Sequence, residues 1–239
     1  MEEQGWTISH ILLTHSHFDH VGGLAELKEL TGAPIYAHPD AGPMLARATA
    51  AAALWGIHVD APPPADHPLA EGDVLAIGEL RPVVLFTPGH APGHVCFHLP
   101  QDGVVFDGDV LFQGSIGRTD LPGGDYELLM SSIRDKLLPL PDETVVLSGH
   151  GRTFTDVQAH IDANRTLVHK RLATVERELA AHGPMTAFAA VPLVFPGLMN
   201  QQSANWLLSE TLAFLRHLEM TGRATREIFD GEPEAWSIA

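Results

Sequence analysis

A single cysteine, Cys96, excludes an internal disulfide and a cysteine-rich zinc site. It lies in the apolar run 94–99, where it reads as a small buried hydrophobe. No apolar stretch approaches the ~18 residues of a membrane span, and no basic N-terminal region leads into an apolar one. A cytoplasmic protein without membrane contact is the expectation. Positive charge is scarce too: 14 Lys and Arg face 30 Asp and Glu, a formal net charge of -16 that repels nucleic acid phosphates. Internal repeats and low-complexity tracts are missing, Pro62-Pro63-Pro64 being a rigid loop and 48–53 an alanine-rich helix.

What is present is a chain of 239 residues, 45% hydrophobic and 18% charged, long enough for one large domain and a smaller appendage. Short runs rich in Val, Ile and Leu predict strands at 10–14, 34–38, 74–77, 82–87, 94–99, 103–107 and 144–148. Helical patterns fall between them at 21–31, 41–55 and 126–138. From 158 the strand runs stop. Apolar positions at helical spacing predict helices over 158–182, ended by Gly183-Pro184, and over 200–221, ended by Gly222. The expected domains are therefore a mixed strand and helix domain, 1–157, and a helical C-terminal domain, 158–239.

Histidine is the residue in excess, with 15 copies. Thr14-His15-Ser16-His17-Phe18-Asp19-His20 follows one strand and precedes a helix expected near Gly22-Gly23. A solvated loop could hold any one of these side chains, but a buried set would leave each needing its own partner. A divalent cation satisfies all of them at once, and imidazole nitrogen with carboxylate oxygen suits zinc, manganese or iron. The same design recurs at later strand ends, in Thr87-Pro88-Gly89-His90, Asp107-Gly108-Asp109 and Ser148-Gly149-His150-Gly151. In each, glycine lets the backbone turn sharply and delivers a ligand-type side chain to the sheet edge.

With these residues the chain resembles the metallo-β-lactamase superfamily, whose pattern is HxHxDH followed by a distant His, an Asp and a final His. Segment 111–125 resembles the glyoxalase II-like hydrolases within it. The resemblance spans about 8–151 and implies an αββα sandwich of α/β class, lacking its first strands, with a small, mainly helical and winged-helix-like C-terminal domain. It further implies that His15, His17 and His90 hold one metal ion, that Asp19, His20 and His150 hold a second, and that Asp109 bridges the two. Two zinc ions per chain are expected, with iron or manganese as alternatives. Two close cations lower the pKa of a shared water, so that hydroxide can attack an ester-like carbon near neutral pH. Asp19 would also handle a proton as the catalytic residue.

Arg118 lies where glyoxalase II enzymes place a basic residue on the substrate carboxylate, so it is either a substrate anchor or a partner of Asp120 or Asp125. A hydrogen bond supporting a ligand, rather than ligation, is expected of His94. Asp107 is expected to face away from the site. His38, His58, His67, His160, His169, His182 and His217 carry no motif and read as surface or satisfied residues.

Two features depart from the glyoxalase pattern. The opening strand pair expected before HxHxDH is missing from this sequence; unless another element covers it, a sheet edge would be exposed, and reduced stability or a homodimer is expected. The tail holds no basic or aromatic set to align with a glutathione site, which argues against glutathione. From His160 onward 7 Lys and Arg meet 9 Asp and Glu, so the tail is not a DNA-binding module. The expected activity is hydrolysis of a thioester or related acyl compound, with a small-molecule substrate and no nucleic acid. The alternatives are a persulfide dioxygenase with a single iron on His15, His90 and Asp109, and, opposed by the acidic charge, a metallo-nuclease.

Overall fold

The computed structural model describes residues 5–201, 203–228 and 233–239. It forms two compact units, Met1–Ile161 and Asp162–Ala239. No helix among the described residues is long and apolar enough to cross a membrane.

In the first unit β1 (Ile11–Leu12) leads through α1 (Phe18–Val21) and α2 (Leu24–Thr31) to β2 (Ile35–Ala37). Gly32 ends α2 in the left-handed region at φ 65°, its N–H bonded to the Lys28 carbonyl. A 3-10 turn (Pro39–Ala41), α3 (Gly42–Leu45) and α4 (Ala48–Ala53) then precede β3 (His67–Pro68). The three strands form a parallel sheet in the order β1-β2-β3. Next come β4 (Val83–Phe86), β5 (Val95–Leu99), β6 (Val104–Gly108), the hairpin of β7 (Leu111–Phe112) and β8 (Ser115–Ile116), α5 (Tyr126–Ser132), and β9 (Val145–Ser148). The second sheet has the order β4-β5-β6-β9, antiparallel except for the parallel β6/β9 pair.

Three apolar clusters define the layers. Val21, Leu24, Leu45 and Ala48 of the early helices pack on Ile11, Ile35 and Ala37. Leu12 and Tyr36 of the first sheet meet Val84, Val95 and Phe97 of the second. Leu129, Ile133 and Leu137 close over Cys96, Val105 and Val146. The result is a helix–sheet–sheet–helix sandwich, the fold expected from the motif.

Several boundaries differ from the sequence reading for local reasons. The helix expected at 21–31 starts earlier, at Phe18 inside the histidine motif, and breaks at Gly22-Gly23. The run 41–55 is two helices, because Arg47 leaves the helical region at φ -106°, ψ 1°. Helix α5 gives way to a π turn, Ile133–Leu137, with Leu138 N bonded to the Ile133 carbonyl at 2.9 Å. The expected strand 74–77 folds back through Gly78 into isolated bridges, Val74 with Val83 and Ile77 with Leu80.

The second unit contains α6 (Val157–His182, which crosses the unit boundary), β10 (Met185–Thr186), α7 (Ala187–Val194), α8 (Ala204–Met220), β11 (Ala224–Glu227) and β12 (Ala235–Ile238). Its strands form an antiparallel sheet, β10-β12-β11. Leu179, Val191, Leu215, Leu218 and Trp236 make its core. The sequence reading placed α6 and α8 but neither α7 nor the sheet; α8 starts at Ala204 rather than 200, and residue 202 lies outside the described residues.

Candidate metal centre

Four turns at the sheet edges deliver the candidate side chains. The first follows β1, where buried Ile11 and Leu13 anchor the strand and His15 is 1% exposed. His17 is still extended (φ -64°, ψ 148°) as the N-cap residue of α1, whose first turn carries Asp19 and His20. The change from strand to helix thus aims four donors from one six-residue segment at one volume.

The second turn, Thr87 to His90, is pressed against α5, because Asp125 N–H donates to the Gly89 carbonyl at 2.7 Å. A Cβ at Gly89 (φ 130°) would overlap the Leu129 backbone. The third turn carries Asp109 just past the end of β6, where pairing with β9 shifts register between Phe106 and Gly108. The fourth follows β9: Gly149 N–H donates to the Gly108 carbonyl at 2.7 Å, joining the turns of Asp109 and His150.

The donor atoms converge. His17 Nδ1 is 2.8 Å from His90 Nε2, and His20 Nε2 is 3.2 Å from His150 Nε2. Asp19 Oδ2 lies 3.2 Å from His150 Nε2 and 3.6 Å from His20 Nε2. Asp109 reaches both sides, with Oδ1 3.4 Å from His20 Nε2 and Oδ2 3.5 Å from both His90 and His150 Nε2. Among the described residues three triads have ligand atoms within 4.8 Å of one another: His15/His17/His90, His15/His20/Asp109 and Asp19/His20/His150. The inner donors His15, His90 and Asp109 are buried; the side chains of Asp19 and His150 are 43% and 55% exposed. The centre is therefore open on the Asp19/His150 side.

Electrostatics suit a cation. Burial, then neighbouring imidazoles, hold His15 well below the usual histidine range and His17 at about 4. Burial also lowers His90, against the Arg118 carbonyl that accepts from its Nδ1–H at 2.8 Å. Neutral imidazoles with one nitrogen tied back are the form that ligates metal. For His20 burial pulls downward, but the carboxylates of Asp109 and Asp19 outweigh it and hold the imidazole upward. Asp109 is lowered because His20 and the other histidines outweigh its burial. His15 Nε2 and Asp109 Oδ1 are buried without a hydrogen-bond partner among the described residues. Orphaned polar atoms of this kind cost roughly 1–3 kcal/mol each, more when charged, and a cation between them removes that cost. The residues fit a divalent metal.

Around the donors, His94 is fully buried, burial placing it at about 3. Its Nε2 accepts from Asp109 N–H at 3.1 Å and its Nδ1 lies 2.9 Å from Thr87 Oγ1. Asp107 stays out of the donor groups, although strand alternation would put residues two apart on the same face. The register shift separates the pair: Asp107 Oδ2 accepts from Leu111 N–H at 3.0 Å, and burial lifts its carboxyl to about 8. Cys96 is fully buried. Arg118 forms a bidentate pair with Asp120, both contacts 2.7 Å, while Asp125 caps α5 by accepting from Leu128 N–H. His160 stacks on Phe154 with Nε2 2.6 Å from the Phe112 carbonyl.

Two glycines shape the cavity; sequence reasoning gave Gly149 only a turn at its strand end and passed over Gly117. A Cβ at Gly149 would overlap Asp109 Oδ1 and lie 2.7 Å from His20 Cε1; one at Gly117 would overlap the Asp109 carbonyl. For Gly117 the only signal was its neighbour Arg118, already singled out.

Residues 1–150 match the Metallo-beta-lactamase superfamily. The probable metallo-hydrolase YqgX of Bacillus subtilis is 50% identical over 167 residues, 69% of this chain and 78% of that protein. A hydroxyacylglutathione hydrolase of Bradyrhizobium is 34% identical over 232 residues, 96% of this chain and 80% of that one. Among solved structures, TTHA1623 in a di-iron-bound form is 45% identical with a TM-score of 0.60, covering 64% of this chain and 75% of its own.

Proposed function

Since the chain belongs to the metallo-beta-lactamase superfamily of metal-dependent hydrolases, we propose that it cleaves a thioester or related acyl ester bond at a pair of zinc ions. In this reading His15, His17 and His90 would hold one ion and Asp19, His20 and His150 the other, with Asp109 within reach of both groups. The observation that carries it is Asp109, whose two oxygens lie within 3.5 Å of imidazoles from both groups. Nitrogen and oxygen donors at this density suit zinc, and they accept iron or manganese as well.

Bound divalent cations lower the pKa of a water toward neutrality and polarise a carbonyl oxygen. The chain's own residues supply the rest. His90 is oriented by the Arg118 carbonyl, so its Nε2 presents a lone pair inward. Asp19 sits at the open side with Oδ2 3.2 Å from His150 Nε2. There it takes the proton released as water attacks the acyl carbon and passes it toward the departing thiolate. Arg118, also at an exposed position, offers a planar fork to a substrate carboxylate, in exchange for Asp120.

The net charge of -16 favours a small-molecule acyl substrate over nucleic acid. The similarity to a hydroxyacylglutathione hydrolase over 232 residues supports thioester chemistry. Metal analysis of the purified protein, with turnover measured across thioesters, lactones, phosphodiesters and glutathione persulfide, tests the proposal. Two zinc ions per chain with thioester turnover, both lost in His15→Ala and Asp109→Ala, is the expected result. One iron per chain with oxygen uptake on the persulfide would replace hydrolysis by oxygenation.

A further inference from the structure

Behind the donors runs a line of buried polar groups that touch no substrate. Asp109 N–H donates to His94 Nε2 at 3.1 Å, so that nitrogen carries the lone pair and the proton sits on Nδ1. His94 Nδ1–H then donates to Thr87 Oγ1 at 2.9 Å. The Thr87 hydroxyl in turn lies 3.2 Å from Cys96 Sγ, and the Cys96 thiol faces the Asp107 carbonyl at 3.5 Å. The line ends two residues before it began, closing a ring through the backbone 107–109. Thr87, His94, Cys96 and Asp107 are all fully buried.

The ring also gathers the other ligand turns. Thr87 N–H donates to the His94 carbonyl at 2.9 Å, bracing the turn that ends at His90. Val95 N–H donates to the Thr14 carbonyl at 2.8 Å, and the His94 imidazole stacks on His15 with centroids 5.0 Å apart. Gly108 makes the approach possible, because a Cβ there would sit 2.7 Å from His94 Nε2.

We infer that His94, held by Thr87, is the positioning residue of the metal centre: it fixes the backbone of Asp109 relative to His15 and His90, and so sets metal affinity. A side chain that only filled space would need neither the acceptor at Nε2 nor the donor at Nδ1. Supporting hydrogen bonds to metal ligands are worth about 10- to 100-fold in affinity. The inference rests on the metal reading above and not on the identity of the substrate.

The test is zinc and cobalt(II) affinity of the full chain, with the cobalt absorption spectrum as a second readout. The glutamine amide overlays the Nε2 end of an imidazole and the asparagine amide the Nδ1 end. His94→Gln therefore keeps an acceptor for the Asp109 amide, His94→Asn loses it, and His94→Phe keeps only the ring shape. Expected is a loss of about 10- to 100-fold in His94→Phe and His94→Asn, with a shifted cobalt spectrum, and recovery of most of the affinity in His94→Gln. Thr87→Val, close to isosteric, should weaken binding in the same direction by less, and stands in if His94→Phe does not fold. Wild-type affinity in both His94→Phe and Thr87→Val, or His94→Phe binding better than His94→Gln, would overturn the inference. A wild-type chain that binds neither cation would instead overturn the metal reading itself.

Discussion

The main-chain carbonyl of Arg118 accepts a 2.8 Å hydrogen bond from Nδ1 of His90, while the Arg118 guanidinium is turned to Asp120. Backbone and side chain of one residue thus do separate jobs. Arg118→Gln should leave metal content unchanged, and stability within about 1 kcal/mol, since the pair with Asp120 is exposed. It should raise KM for a thioester bearing a carboxylate by several-fold while sparing a neutral one, with kcat unaltered. Equal KM values for both substrates in the variant and the parent would leave the guanidinium as a partner of Asp120 alone.

Gly149 and Gly151 flank His150 but differ in surroundings. A Cβ on Gly149 meets Asp109 Oδ1 and His20, whereas one on Gly151 (φ 90°) meets open space. Gly149→Ala should abolish tight metal binding in a folded protein. Gly151→Ala should cost only backbone strain, about 1–3 kcal/mol, with the metal retained. Atomic emission on gel-filtered protein, paired with circular dichroism, reads both; equal metal content in the two variants would contradict the geometry.

Chelation should lower the melting temperature, because His15 Nε2 and Asp109 Oδ1 are left buried and unsatisfied. Readdition of zinc at about 100 times its Kd should restore roughly 2.7 kcal/mol per site. A melting temperature indifferent to both treatments would argue against a preformed centre.

Away from the centre, Asp66 ties β2 to α2 by accepting from Lys28 Nζ at 2.7 Å and from Ile35 N–H at 2.8 Å. The lysine bond, then the amide bond, hold its carboxyl below the ordinary value. A lowered folded value means the stabilisation is complete above the unfolded pKa, about 3.9, and disappears as pH falls through the folded one. Urea midpoints of Asp66→Asn and the parent should differ at pH 6 and converge as the pH drops below about 3.9. A constant difference at every pH would assign the effect to something other than this charge.

The strands and the convergence of the seven donors were legible because both are written in short-range signals, apolar runs ending in glycine and a ligand-type residue; the layering into a sandwich came from the family resemblance. The interruptions were not. Nothing local marks Arg47 as leaving the helix, and the π turn at Ile133–Leu137 answers to packing against Cys96, Val105 and Val146. Two-residue strands such as β3, β7 and β8 are set by their partners, not by propensity. Asp107 does stay out of the donor groups as expected, but by a register shift that is invisible in sequence and not by strand alternation, which would place residues two apart on one face. Thr87 and Cys96 passed as a turn residue and a core residue, since only the fold brings Thr87 to His94 and Cys96 to Thr87.

The gradient of exposure across the donors, from His15 at 1% to the His150 side chain at 55%, would make two metal positions unequal in exchange. An ion among His15, His17 and His90 would have to shed its ligands inside the protein, whereas one held by Asp19 and His150 can trade them for water one at a time. A protein built this way would lose its outer ion before its inner one. When metal is scarce its working population would include half-filled molecules, so the supply of cation, as well as the supply of substrate, would govern its rate.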